Sequence, residues 1–134
     1  MKLLLDTHIL LWALTDSPKL PANAKMLIED ESNDVYYSII SPWEVEIKHL
    51  RHPDQMKLTG TDLALYCDEA GYIKLPVQIQ NICYLKNLSR PDNLPKHQDP
   101  FDRMLIAQAA TTGMMLITHD ELIAGYTDQP IMLV

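Results

Sequence analysis

The chain has 134 residues, 47% of them hydrophobic, which excludes a disordered chain and gives enough apolar material for one compact domain spanning residues 1–134. No apolar run approaches the ~20 residues that a membrane helix requires. The net charge of −7 opposes general nucleic-acid binding, because the long-range field repels phosphate, so a nucleic-acid substrate would need local basic residues or bound cations.

Lys2 to Leu5 reads as a short buried strand. Asp6 interrupts the apolar start and no small-residue cleavage site follows, so no leader and a cytoplasmic location are expected. Thr7 can cap a helix from His8 to about Leu14. Pro21 opens a second helix with Ala24, Leu27 and Ile28 on one face. Val35 to Ile40 is β-branched and aromatic, as a strand requires. Ser41-Pro42-Trp43-Glu44 then has the grammar of a helix start, with Ser41 as cap, Pro42 at the first position and Glu44 at the third. Thr61 to Ala70 is helical, and Gly71 suits its left-handed end. Tyr72 to Leu75 is a strand, and Pro76 opens a helix toward Leu85. Ser89 to Gln98, with Pro91 and Pro95, is a loop. Asp99-Pro100-Phe101-Asp102 starts another helix, which Gly113 ends. Met114 to Thr118 is a strand, Asp120 caps a short helix, and Ile131 to Val134 is a terminal strand. Cys67 and Cys83 have no metal-knuckle spacing and read as reduced, mostly buried thiols.

Strands alternating with helices imply right-handed crossovers and a parallel sheet covered on both faces. Ligands of such folds bind outside the carboxyl ends of the strands. Four acids fall there: Asp6 after the first strand, Glu44 beyond the second, Asp102 in the first turn after the proline-rich loop, and Asp120 after Met114 to Thr118. Hard oxygen donors without accompanying cysteine suit Mg²⁺ or Mn²⁺, ions that activate water and neutralise a phosphodiester as it gains charge. Each acid also has a plain structural reading. Glu44, Asp102 and Asp120 can be helix-start residues. Asp6 abuts Thr7, which can cap by itself.

At these residues the sequence is familiar. Leu4-Leu5-Asp6-Thr7-His8-Ile9-Leu10-Leu11-Trp12, Ser41-Pro42-Trp43-Glu44-Val45-Glu46-Ile47-Lys48, His97-Gln98-Asp99-Pro100-Phe101-Asp102-Arg103-Met104-Leu105-Ile106-Ala107-Gln108-Ala109 and Leu116-Ile117-Thr118-His119-Asp120 resemble, in order, the motifs of PIN-domain ribonucleases of the VapC toxin type. The resemblance implies a three-layer α/β/α fold with a small parallel sheet, Mg²⁺ or Mn²⁺, and endonucleolytic cleavage of RNA. It maps the catalytic and metal-binding acids onto Asp6, Glu44, Asp102 and Asp120, with Thr118 and Thr7 supporting them. It further implies a cognate antitoxin protein and a homodimer. The loop Arg90 to Lys96 is longer than in close relatives, and Asp128 to Val134 is less typical.

Lys48, Arg51 and Arg103, with Arg90 and Lys96, are candidate RNA contacts, although such residues are more often solvated charges. His8 and His119 flank two of the acids. His49 and His52 lack a carboxylate to complete a zinc triad. Trp12 and Trp43 read as core or interface residues. Two rival functions share the acidic pocket. A Mg²⁺-binding receiver module would need two adjacent acids after the first strand and a lysine near the last one, whereas Asp6 is followed by Thr7 and His8, and no lysine lies beyond Arg103. A structure-specific DNA nuclease would carry extra helical arches, for which this chain is short.

Overall fold

The computed structural model describes all residues from Met1 to Val134. Five strands, β1 (Lys2–Leu5), β2 (Asp34–Ser38), β3 (Ile73–Leu75), β4 (Met115–Thr118) and β5 (Ile131–Leu133), form one sheet in the order β3-β2-β1-β4-β5. Every pairing is parallel, with Leu4 opposite Tyr36 on one side and Leu116 on the other. Seven helices cover the sheet: α1 (Thr7–Leu14), α2 (Ala22–Glu29), α3 (Ile40–Arg51), α4 (Gly60–Glu69), α5 (Ile79–Tyr84), α6 (Pro100–Thr112) and α7 (Glu121–Ala124). This is the expected three-layer α/β/α fold. No helix is long and apolar enough to cross a membrane.

The period-2 alternation of β1 divides the core. Leu3 and Leu5 face one apolar cluster with Ile9, Leu10, Ala24, Val45 and Leu63, which brings in α1, α2, α3 and α4. Leu4 faces the other, with Leu105, Ile106, Ala109 and Ile123 from α6 and α7. A strand buried on both faces must be apolar throughout, which explains the Leu3-Leu4-Leu5 run. Each of those fully buried leucines contributes about 1.5–3 kcal/mol relative to exposure. A buried polar tie joins the layers: Ser38 Oγ donates to Gln108 Oε1 at 2.5 Å, and Gln108 Nε2 donates to the Pro76 carbonyl.

Several local signals act as their chemistry requires. Asp99 accepts from the backbone N–H groups of Phe101 and Asp102, and Pro100 occupies the first turn of α6. Gly113 ends α6 at φ 69°, and Gly71 takes φ 80° after α4, a region open to glycine. Thr59 and Asp62 form a capping box for α4.

Other expectations are corrected. Asp6, not Thr7, caps α1: its Oδ1 accepts from Ile9 N–H at 2.8 Å, while the Thr7 hydroxyl bonds Ser41 Oγ. Helix α3 begins at Ile40 without a side-chain cap, so Ser41 lies inside its first turn and Glu44 one step beyond it. Helix α5 begins at Ile79 with Gln78 as its cap, not at Pro76. Gln78 itself is extended, and its N–H donates to Asn81 Oδ1. Cys67 is buried, but Cys83 is exposed. Trp43 lies outside the core: it is exposed and meets Phe101 edge-on, which contradicts the core half of its core-or-interface reading alone.

Candidate active site

The strand order reverses between β1 and β4. Two crossovers diverge at such a point and leave a crevice at the carboxyl edge. Asp6 directly follows β1, and Asp120 lies two residues beyond the end of β4. Thr118, the last residue of β4, connects them. Its hydroxyl donates to Asp6 Oδ2 and accepts from the Asp120 N–H at 3.0 Å. Asp120 in turn caps α7 by accepting from Leu122 N–H at 2.8 Å. Capping and site membership coincide here, because a helix N-terminus favours a carboxylate in either role.

Asp6 is buried. Burial raises its carboxyl above the ordinary range, the Thr118 and Ile9 donors oppose that rise, and the charge of Asp120 adds to it. Asp6 and Asp120 line a cavity of about 340 Å³ with His8, Trp12, His119 and Glu121. The Trp12 ring lies between the two imidazoles, with both centroid separations at 5.9 Å. His8 and His119 therefore form the rim of this pocket.

The second pair of acids comes from α3 and α6. Asp102 is pushed up to about 6, first by burial and further by the charges of Asp99 and Glu44, while the His97 imidazole opposes the rise. His97 Nε2 stands 3.0 Å from Asp102 Oδ2, and its Nδ1 stands 3.0 Å from the Tyr126 hydroxyl. Tyr126, itself buried, donates to the His97 carbonyl at 2.9 Å and accepts from Arg103 at 3.0 Å. Glu44 is buried, its Oε2 lies 2.9 Å from Lys48 Nζ one turn along α3, and its Oε1 has no partner.

The structure thus places the four predicted acids as two pairs, Asp6 with Asp120 and Glu44 with Asp102. No three His, Cys, Asp or Glu side chains form a ready-made metal cage. Each acid instead has a local partner: backbone N–H groups for Asp6 and Asp120, Lys48 for Glu44, His97 for Asp102. The donors nevertheless fit a divalent cation. All are hard oxygens, two carry carboxyls raised by burial and like charge, and one buried oxygen is orphaned, a costly state for a carboxylate.

Among the cations proposed to meet RNA, Lys48 is occupied by Glu44, and Arg103 is bound to Tyr126 and the Leu85 carbonyl. Arg51 is exposed at the end of α3. Sequence reasoning assigned His97 and Tyr126 no role. His97 lies inside the motif that includes Asp102, and its spacing of five residues, across a loop-to-helix junction, was the available signal. Tyr126 carried none, since only the fold brings it to His97.

The PIN domain family model matches residues 3–127. Among solved structures, the fold is similar to VapBC2 from Rickettsia felis, bound to a DNA fragment from their promoter (TM-score 0.68, 14% identity, 99% of this chain and 98% of that one). It is also similar to VapBC-1 from nontypeable Haemophilus influenzae (0.64, 17%, 99% and 98%) and to FitAcB from Neisseria gonorrhoeae (0.59, 19%, 96% and 95%). No curated protein matches significantly.

Proposed function

Because the chain belongs to the PIN domain family, we propose that residues 1–134 are one domain acting as a divalent-metal-dependent endoribonuclease, the toxin of a cytoplasmic toxin–antitoxin pair. The observation that carries this reading is the Asp6–Asp120 pair at the reversal point of the sheet, with a second acid pair, Asp102 and Glu44, whose Glu44 Oε1 is buried and unpartnered. The similarity to VapBC and FitAB assemblies supports the toxin assignment and a cognate antitoxin, and a homodimer is part of the same proposal.

Asp6, Asp102 and Asp120 would hold Mg²⁺ or Mn²⁺ directly, and Glu44 would hold a second ion or orient the attacking water. When bound, the cation activates water and neutralises charge on the phosphodiester. The chain's own residues prepare that chemistry. Thr118 and the Ile9 N–H each engage one Asp6 oxygen and fix the carboxylate plane. His97, braced by Tyr126, holds one oxygen of Asp102 and leaves the other available. Lys48 holds Glu44 in place from the solvent side. No Ser–His or Cys–His pair is in hydrogen-bond register among the site residues, so nucleophilic catalysis has no evident agent here.

The test is substrate choice. Purified protein with Mg²⁺ or Mn²⁺ is expected to cut single-stranded RNA and to leave flap DNA intact. Sequencing RNA ends after brief expression in cells should give discrete cut sites. Cleavage of flap DNA alone would favour the DNA-nuclease reading, and phosphorylation by a small phosphodonor would favour a receiver.

A further inference from the structure

A cavity of about 530 Å³ lies beneath the proline-containing loop and is lined by Arg90, Lys96, His97, Arg103 and Tyr126, against a single acid, Asp92. None of its lysine or arginine side chains is ion-paired. The ion pairs of the molecule are Lys25–Glu29, Lys48–Glu44 and His97–Asp102. Both arginines are held by hydrogen bonds. Arg90 donates from Nε to the Pro95 carbonyl at 3.0 Å and from Nη1 to the Leu122 carbonyl, and lies 4.9 Å from the centre of the Tyr126 ring. Gly125 leaves room for this guanidinium, and a β-carbon there would collide with it. Arg103 donates to the Tyr126 hydroxyl and the Leu85 carbonyl and lies 5.9 Å from the centre of the same ring.

All these acceptors are neutral, so they order the guanidinium planes without cancelling their charge. Each arginine has five N–H donors and spends two, which leaves donors of known orientation free. Ordered, uncompensated guanidinium groups match the oxygens of a phosphate, and their ordering entropy is already lost before binding.

We propose that this cavity is a phosphate-binding subsite whose occupant is a backbone phosphate of the RNA strand, flanking the bond that is cut. This deepens the nuclease reading and rests on it. His97 supplies the continuity, since it lines the cavity and also touches Asp102 at 3.0 Å. One strand can therefore place one phosphate at the acids and a neighbouring one at Arg90, Lys96 and Arg103. In a chain of net charge −7, such a local reversal of sign is what a polyanion requires.

The test is binding of a short, labelled single-stranded oligoribonucleotide by fluorescence anisotropy, in chelator, across a salt series. Lys96→Gln should weaken binding several-fold and lower the slope of log affinity against log salt by about 0.7, the value for one single-strand phosphate contact. Lys25→Gln, a distant exposed control, should change neither. Arg90→Gln should act in the same direction, but Arg90 also fastens the loop, so Lys96→Gln is the decisive variant. Parent-like affinity and slope for Lys96→Gln and Arg90→Gln would overturn the subsite. Inorganic phosphate, at matched ionic strength with chloride, should displace the oligonucleotide from the parent and less so from Lys96→Gln. If phosphate binds with this Lys96 dependence while the oligonucleotide shows none, the occupant is a free phosphate and the strand assignment is overturned. The readout needs neither metal nor turnover. Failure to cleave RNA would therefore sink the nuclease reading while leaving a changed salt slope intact, and normal cleavage with unchanged slopes would sink the subsite alone.

Discussion

Lys48 Nζ lies 2.9 Å from Glu44 Oε2, one helical turn away, while the other oxygen of the same carboxylate is buried without a partner. The ammonium is a resident counter-charge for one oxygen of this acid, and the other oxygen is left uncompensated. Lys48→Met should therefore lower the melting stability of the metal-free protein. The pair is partly solvent-screened, so the loss should be about 1 kcal/mol, not the 3–5 kcal/mol of a fully buried pair. The stabilisation given by added Mg²⁺ should grow, because the ion no longer competes with the ammonium. Thermal melts with and without Mg²⁺ check both signs, and a variant with an unchanged metal response would remove Lys48 from the site's electrostatics.

Asp102 gives a pH dependence. Its folded carboxyl titrates at about 6, against 3.8 ordinarily. Between those values the native state holds a proton that the unfolded chain has released, so stability of the metal-free protein falls as pH rises across that window and then levels off. Asp6, also raised, adds in the same direction. The Asp102 part is no more than about 3 kcal/mol by linkage. Asp102→Asn should flatten this slope and melt no lower than the parent at pH 7. It should also lose the metal stabilisation of the parent, roughly 2.7 kcal/mol at a hundredfold excess over the dissociation constant. A variant that melts well below the parent yet responds fully to Mg²⁺ would make Asp102 a structural residue only.

Thr118→Val removes both hydrogen bonds of the hydroxyl that joins Asp6 to Asp120. Leaving buried polar groups unsatisfied costs about 1–3 kcal/mol. Loss of the donor also raises Asp6 further, so the acid limb of the pH–rate profile should move to higher pH. Thr118→Ser should restore it. A simple fall in stability, with the pH profile unmoved in both variants, would mean that Thr118 only packs.

The antitoxin should compete with metal. An acidic pocket that accepts cations also accepts an arginine or lysine from a partner. A flexible antitoxin segment is expected to fold along the first helices near Leu10, Leu11, Trp12 and Leu14 and to place a basic side chain among Asp6, Glu44, Asp102 and Asp120. Antitoxin affinity should fall along a Mg²⁺ series. Constant affinity, with Asp6→Asn and Asp102→Asn also without effect, would replace this account with steric blocking.

Much of the fold was legible because a doubly covered parallel sheet writes apolar runs such as Leu3-Leu4-Leu5, and helix ends write Asp99-Pro100 and Gly113. The helix starts at Thr7 and Ile40 were misread for one reason. Capping chemistry is not unique: Asp and Thr cap alike, so sequence alone leaves open whether Asp6 or Thr7 serves α1, and Ser41 has the chemistry of a cap although α3 starts at Ile40 with no side-chain cap at all. The four acids could be named, but their pairing could not, since Asp6 and Asp120 are joined by a hydroxyl 112 residues from one of them. Within the Tyr126–His97–Asp102 chain only His97 is marked, by its place in the Asp102 motif; Tyr126 and the seating of Arg90 and Arg103 depend on tertiary contacts that leave no periodic or motif signal.

The most direct test of the central claim is the initial rate of single-stranded RNA cleavage by the purified chain, in excess chelator and after Mg²⁺ or Mn²⁺ is restored, alongside Asp6→Asn and Asp102→Asn. The account predicts no cleavage in chelator, recovery with metal, and variants slower by at least about a hundredfold, beyond the loss typical of outer-shell partners. Full activity in excess chelator, or variants that cut as fast as the parent, would contradict it.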